Sequence, residues 1–116
     1  MNIALIVFAA LLGVVATASA MAKFSRRDDI IETLDRLGVP DWAVPVLGGL
    51  ELLGALGLVV GIWSKPVGAA AAAGLTIYFA GAVIAHVRAK DQAKEITPAL
   101  VLFLLATTTF VLELAR

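Results

Sequence analysis

The chain has no cysteine. That excludes disulfide exchange, thiolate nucleophiles, cysteine-held iron–sulfur clusters and thiol zinc sites. It has one histidine, so it can supply neither a bis-histidine haem nor a multi-histidine metal site. Nine basic and nine acidic residues cancel, and no basic excess is left to bind nucleic acid. Charge itself is scarce, at 16% of residues, where a soluble domain carries about 25%. Hydrophobic residues make up 61% of the 116, and mean hydropathy is +1.00. A soluble domain of this size hides only about two-thirds of its surface, so much of this apolar area must face lipid. A soluble catalytic domain does not fit this composition, and one membrane domain does.

The apolar residues come in long runs. Residues 3–22 are free of charge, 42–63 are interrupted only by Glu51, 66–85 are uncharged, and 97–112 form the last run. A spanning helix needs about 20 apolar residues, whereas a membrane strand alternates over about 10. The expected fold is therefore all-α: an integral membrane four-helix bundle in a single domain over 1–116, with spans near 3–22, 42–63, 66–86 and 97–115. The small-residue site Ala18-Ser19-Ala20 resembles a signal cleavage site. But the residues before the first run include no Lys or Arg, so it is read as a genuine span.

Local chemistry suggests where the helices start and stop. Asp41 is a candidate cap for the second span, with Pro45 in its first turn. Thr97-Pro98 reads as a cap followed by proline at the first helical position. Ser64-Lys65-Pro66 reads as a tight turn. Trp42 and Trp63 lie about 31 Å apart along a helix, the spacing of two aromatic belts. In the first connection, Ser25 followed three residues later by Asp28 fits a capping pattern. Ile30, Ile31, Leu34 and Leu37 then recur at helical spacing, and Gly38 and Pro40 end the segment. Residues 26–37 thus form a short amphipathic helix, either lying on the membrane surface, packing on the bundle, or both.

The basic residues give an orientation. The first and third connections hold Lys23, Arg26, Arg27, Arg36, Arg88, Lys90 and Lys94, and the other side holds Lys65 and Arg116. Seven against two places both connections in the cytoplasm and both termini outside.

Three residues are candidates for chemistry. Glu51 falls near the bilayer midplane, where a charge costs at least about 2.5–3.5 kcal/mol, so it should face the interior. Its face carries Gly48, Gly54, Ala55 and Leu58, with Gly57 and Gly61 further round, and small residues let a partner helix come close. It is either a proton-handling or ligand-binding carboxylate, or a polar staple between helices. His86 ends the third span. Side chains lean toward the N-terminus of their own helix, so Glu51 and His86 lean toward each other and are expected to share one polar site. The alternative is a solvated, inert histidine at the interface. Tyr78 lies at the depth of Glu51 and can donate to it. Thr17 and Thr107 to Thr109 are expected only to bond their own helix backbone. Arg88, Lys90 and Lys94 are expected to anchor in lipid headgroups.

The segments GVPDWAVPVLGGLELLGALGLVVG and YFAGAVIAHVRAKD, with alanine-rich apolar sequence between them, resemble the DoxX-like family of small four-helix membrane proteins. The likeness rests on Gly38-Val39-Pro40, on Gly49 and Glu51, and on Gly81-Ala82 with His86, and it extends over essentially the whole chain. The family takes its name from a membrane subunit associated with quinol oxidase and thiosulfate:quinone oxidoreductase. The resemblance therefore implies an accessory subunit of a quinone-linked redox system, a quinone as ligand, and a membrane or redox protein as partner. Distant relatives assist assembly of other membrane proteins. That makes a non-catalytic assembly factor or scaffold, or a homo-oligomer, the alternative. The lack of cysteine argues against thiol-dependent activity here.

Overall fold

The computed structural model describes residues 1–116 as five helices and no strand. They are α1 (Ile3–Phe24), α2 (Asp28–Arg36), α3 (Ala43–Val60), α4 (Lys65–Arg88) and α5 (Ala93–Ala115). All but α2 are long and apolar enough to cross a membrane.

Each span buries one narrow stripe. On α1 it is Leu5, Leu12, Ala16, Ala20 and Lys23; on α3 it is Val44, Gly48, Glu51, Ala55 and Leu58. On α4 it is Gly68, Ala72, Leu75 and Phe79, and on α5 it is Ala99, Ala106, Thr109 and Glu113. The steps of three and four residues average 3.5, the periodicity of left-handed bundle packing. The helices form a ring in the order α1, α3, α4, α5, and α5 closes it against α1. Only 20 of 116 residues are buried, while Ile3, Leu53 and Ile77 are each more than 60% exposed. Such faces are stable against hydrocarbon, and the protein is an integral membrane protein. Trp42 and Trp63 are exposed just beyond the two ends of α3, as an aromatic belt at each interface requires.

The α3–α4 contact is knitted by glycine. A Cβ at Gly57 would lie 2.7 Å from that of Ala71, and one at Gly61 would lie 2.5 Å from the Gly68 backbone. The expected small-residue face of α3 is therefore a helix–helix contact inside the bundle.

The expected helix ends differ in detail. Ser25 does not start α2. It caps the C-terminus of α1, and the chain turns through Arg26 in the left-handed region at φ 51°. The Arg27 and Arg26 N–H groups bond back to Ala22 and Lys23, which closes a Schellman turn. Asp41 makes no side-chain cap; its carboxylate is exposed and faces Arg26 at 3.4 Å. Thr97 and Pro98 lie inside α5, which begins one polar turn earlier at Ala93. Thr97 donates to the Ala93 carbonyl, and Glu95 is held by Arg36 at 3.2 Å. Ion pairing outside the hydrocarbon thus extends the helix past its apolar run. Gly38 does end α2, at φ 86° in a second Schellman turn. Helix α2 buries no residue completely; Ile30, Ile31, Leu34 and Leu37 are half-covered and its acids point outward.

Candidate functional site

Glu51 is fully buried on the inner stripe of α3, about 12 Å along the helix from Ala43. Its partner is Lys23, whose Nζ lies 2.6 Å from Glu51 Oε1 and 2.8 Å from the Ser19 hydroxyl. Lys23 does not belong to the polar connection where its sequence position suggests. Helix α1 continues through it, and its side chain is 10% exposed. The geometry follows from side-chain direction. Lys23 leans back into the membrane along α1, Glu51 leans back along the antiparallel α3, and the two meet. Gly48 makes room for this crossing; a Cβ there would lie 3.1 Å from the Phe24 ring and 3.4 Å from the Ala20 carbonyl. The second carboxylate oxygen, Glu51 Oε2, has no hydrogen-bond partner.

Tyr78 stands on the α4 side of Glu51, with its hydroxyl within electrostatic reach of the carboxylate. Its ring packs edge-to-face on Phe79 with centroids 5.1 Å apart. Tyr78 also lines an apolar groove of about 480 Å³ between α3 and α4, with Leu50, Leu53, Gly54 and Gly74. Hydrogen bonds therefore join Ser19, Lys23 and Glu51, and Tyr78 lies beyond them on the groove side without a hydrogen bond to Glu51. A second groove, of about 730 Å³, runs between α1 and α3 past Gly13, Val14, Leu56 and Val59.

His86 belongs to a different cluster, and no hydrogen bond or ion pair joins it to Glu51. Helix α4 ends in a Schellman turn through Lys90 at φ 61°, where the Asp91 N–H bonds the His86 carbonyl at 3.1 Å. That turn folds Asp91 back beneath the helix, and its carboxylate accepts from His86 Nδ1 at 2.5 Å. Arg36 of α2 reaches the same carboxylate, which is only 3% exposed. The hydrogen bond from His86, helped by the Arg36 charge, holds the Asp91 carboxyl below the usual carboxylate range. This cluster ties the interfacial helix to the α4–α5 connection.

The other end of the bundle holds a second buried carboxylate. Glu113 is 1% exposed and pairs with Arg116 at 3.1 Å. It lies against Gly68 in the first turns of α4, where a Cβ would come within 2.7 Å of both its oxygens. Arg116 donates to the Gly61 and Ile62 carbonyls at the end of α3. An acid at one helix N-terminus and a base at another's C-terminus both complement the helix dipoles, so this cluster has a structural explanation. Between the two carboxylates lies an apolar core that includes Leu12, Ala55, Leu58, Leu75 and Phe79.

Lys23 is the main residue that sequence reasoning missed. Its spacing from Leu12, Ala16 and Ala20 puts it on the interior stripe of α1, and that was the available signal. The threonines behave as expected: Thr17, Thr107, Thr108 and Thr109 each donate to the carbonyl four residues back.

No curated protein and no solved structure matches the chain. The DoxX-like family model matches residues 7–108, a stretch that takes in the greater part of all four spans and all of Ser19, Lys23, Glu51 and Tyr78. The chain belongs to the DoxX-like family.

Proposed function

We propose that the chain is an accessory subunit of a quinone-linked membrane redox system, and that it holds a ring-headed amphiphile in the α3–α4 groove beside Tyr78 and Glu51. The observation that carries this is Glu51 Oε2, a fully buried carboxylate oxygen without a partner, next to a tyrosine that lines a lipid-facing groove. Buried acceptors are normally satisfied, so one left open beside a groove favours a ligand. The residues fit a quinone. The groove volume of about 480 Å³ lies within the range of small-molecule sites, and Gly74, with nothing within 4 Å of its Cβ position, leaves flat wall for a ring. A bound quinone supplies two-electron, two-proton chemistry. Tyr78 orients its head, the Lys23–Glu51 pair holds a proton-accepting charge close by, and the apolar walls exclude water. In this reading the electron donor is a partner protein.

The test is extraction of isoprenoid quinone from the protein purified in native-lipid nanodiscs. Gly74→Leu fills the groove without a clash, because nothing lies within 4 Å of its Cβ position. The parent should carry quinone and this variant should lose it. A parent that neither carries quinone nor binds an added short-chain one overturns the reading.

A second reading, an assembly factor or homo-oligomer, is favoured by the outer face of α4. Gly74, Ile77, Gly81 and Ile84 are exposed there, and nothing approaches the Cβ position of either glycine. Gly81→Leu lies outside the groove; a change in nanodisc-embedded mass by light scattering would support this reading.

We further propose that the first and third connections are cytoplasmic. With Lys23 buried among the helices, six basic residues remain there (seven less one) against two on the other side. Single cysteines at positions 65 and 90 test the sides with an impermeant thiol reagent. Labelling of position 90 alone from outside reverses the topology.

A further inference from the structure

We infer that Glu51 exchanges protons with one side of the membrane only, the face that carries the first and third connections, and that Lys23 is the inlet. This access stands whether or not the groove holds a quinone. Ionisable side chains are few inside the bundle. Lys23 is the only one on α1, and Glu51 is the only one on α3. Tyr78 of α4 lies on the groove side, without a hydrogen bond to Glu51, and α5 carries its charges only near its ends, as Lys94, Glu95 and Glu113. Lys23 stands two residues before the Ser25 cap of α1, beside the exposed Arg26 and Arg27. Its side chain keeps 10% exposure at that edge, whereas the Glu51 side chain is fully enclosed. Beyond Glu51 the interior turns apolar, filled by Leu12, Ala55, Leu58, Ala72, Leu75 and Ala106. Thr109, the only buried polar side chain between the two carboxylates, donates to its own helix at Leu105.

Protonation of Glu51 then takes two transfers. Lys23 Nζ gives a proton to Glu51 Oε1 across 2.6 Å, which leaves an amine beside a carboxylic acid. A hydronium ion at the membrane edge returns a proton to the amine and departs as water. A half-turn of the carboxyl group carries the new O–H to the open Oε2 position and turns the carbonyl oxygen to the ammonium. The sum is one hydronium ion and one carboxylate converted to one water and one carboxylic acid. The gained charge rests on Lys23 at the edge, and Glu51 is neutral in mid-span, where charge is most costly. From the opposite face a hydronium ion would have to cross the apolar core with no side chain to relay or solvate it. A proton taken up or released at Oε2 is therefore drawn from, or returned to, the connection face alone.

The test is infrared difference spectroscopy on the full chain in sealed vesicles of ether lipid, which has no ester carbonyl to mask the band of a protonated carboxyl. The vesicles are captured in one orientation through a terminal affinity tag, and the pH is lowered on one face at a time. The Glu51 band is identified by its loss in Glu51→Gln; exposed acids titrate in parent and variant alike and cancel. Where Glu51→Gln does not fold, the double variant Lys23→Met with Glu51→Leu supplies the blank. Acidifying the connection face should raise the band, by up to about tenfold per pH unit, the limit for a single bound proton. Acidifying the opposite face should leave it unchanged. Lys23→Met alone should abolish the response; where it does not fold, the sidedness of the parent decides. A band that follows the opposite face, both faces equally or neither overturns the inference, and a response that survives Lys23→Met removes Lys23 as the inlet. Absence of quinone from the purified protein does not alter any of these outcomes.

Discussion

Glu51 and Glu113 are both buried carboxylates, each has one basic partner, and each has one oxygen without a hydrogen bond. Their surroundings differ. Glu113 has its partner three residues away on the same helix and sits where α3 ends and α4 begins, so the nearby helix ends account for both charges. Glu51 lies in mid-helix with no helix end to serve. Its partner comes from another span 28 residues away, and its far side is flanked by a tyrosine in a groove. A buried charge next to a helix end is usually explained by folding. One in mid-span, paired across helices beside an open groove, calls for a functional explanation.

Removing the cation from each pair tests that contrast. Lys23→Met strands Glu51 in the interior and should cost about 3–5 kcal/mol in unfolding from mixed micelles. Adding Glu51→Leu to it should recover most of the loss, because a buried ion pair is often replaceable by apolar groups once both charges go. If the single variant is as stable as the parent, the pair is not desolvated and the contrast collapses. Next in size is Gly61→Ala, whose new Cβ meets the Gly68 backbone at 2.5 Å. Overpacking there should cost about 1–3 kcal/mol and disturb the Glu113 end, with ligand binding in the groove retained. Arg116→Ala should cost only about 1 kcal/mol, because Glu113 lies in the last turn of α5 and can gain water in its place. A loss equal to that of Lys23→Met would erase the distinction between the carboxylates.

The smallest effect is expected outside both sites. Asp91 is held below the usual carboxylate range by His86, so its contribution is complete above the unfolded carboxyl value of about 4. It is lost as pH falls through the lower folded value. Asp91→Asn should flatten this acid limb in stability measured against pH, and should loosen α2 as judged by hydrogen exchange. An unchanged acid limb would mean that Asp91 and His86 do not hold the interfacial helix.

Much of this was legible in the chain. Long uncharged runs leave the backbone no choice but helices, and the charge-poor composition leaves those helices no solvent but lipid. Glu51 stood out because it is the one acid within an otherwise apolar run, and its glycine-rich neighbourhood implied the close helix contact that Gly57 and Gly61 make. The site was legible only in part. Local lean suggested that His86 faces Glu51, but the turn at Lys90 brings Asp91 back to take its ring nitrogen. Lys23 read as loop because it begins the polar stretch, and its place was settled by how far α1 continues.

The sequence by itself determined the four spans, the interfacial helix, the interior placement of Glu51 and the basic asymmetry of the connections. These depend on hydropathy, periodicity and residue count, all of which act locally along the chain. Only the tertiary structure decided which charge meets which. It joined Lys23 to Glu51, His86 and Arg36 to Asp91, and Tyr78 to a groove. A salt bridge across 28 residues depends on the relative depth and rotation of two packed helices. A shift of one residue rotates a side chain by about 100°, so no local pattern specifies the pairing.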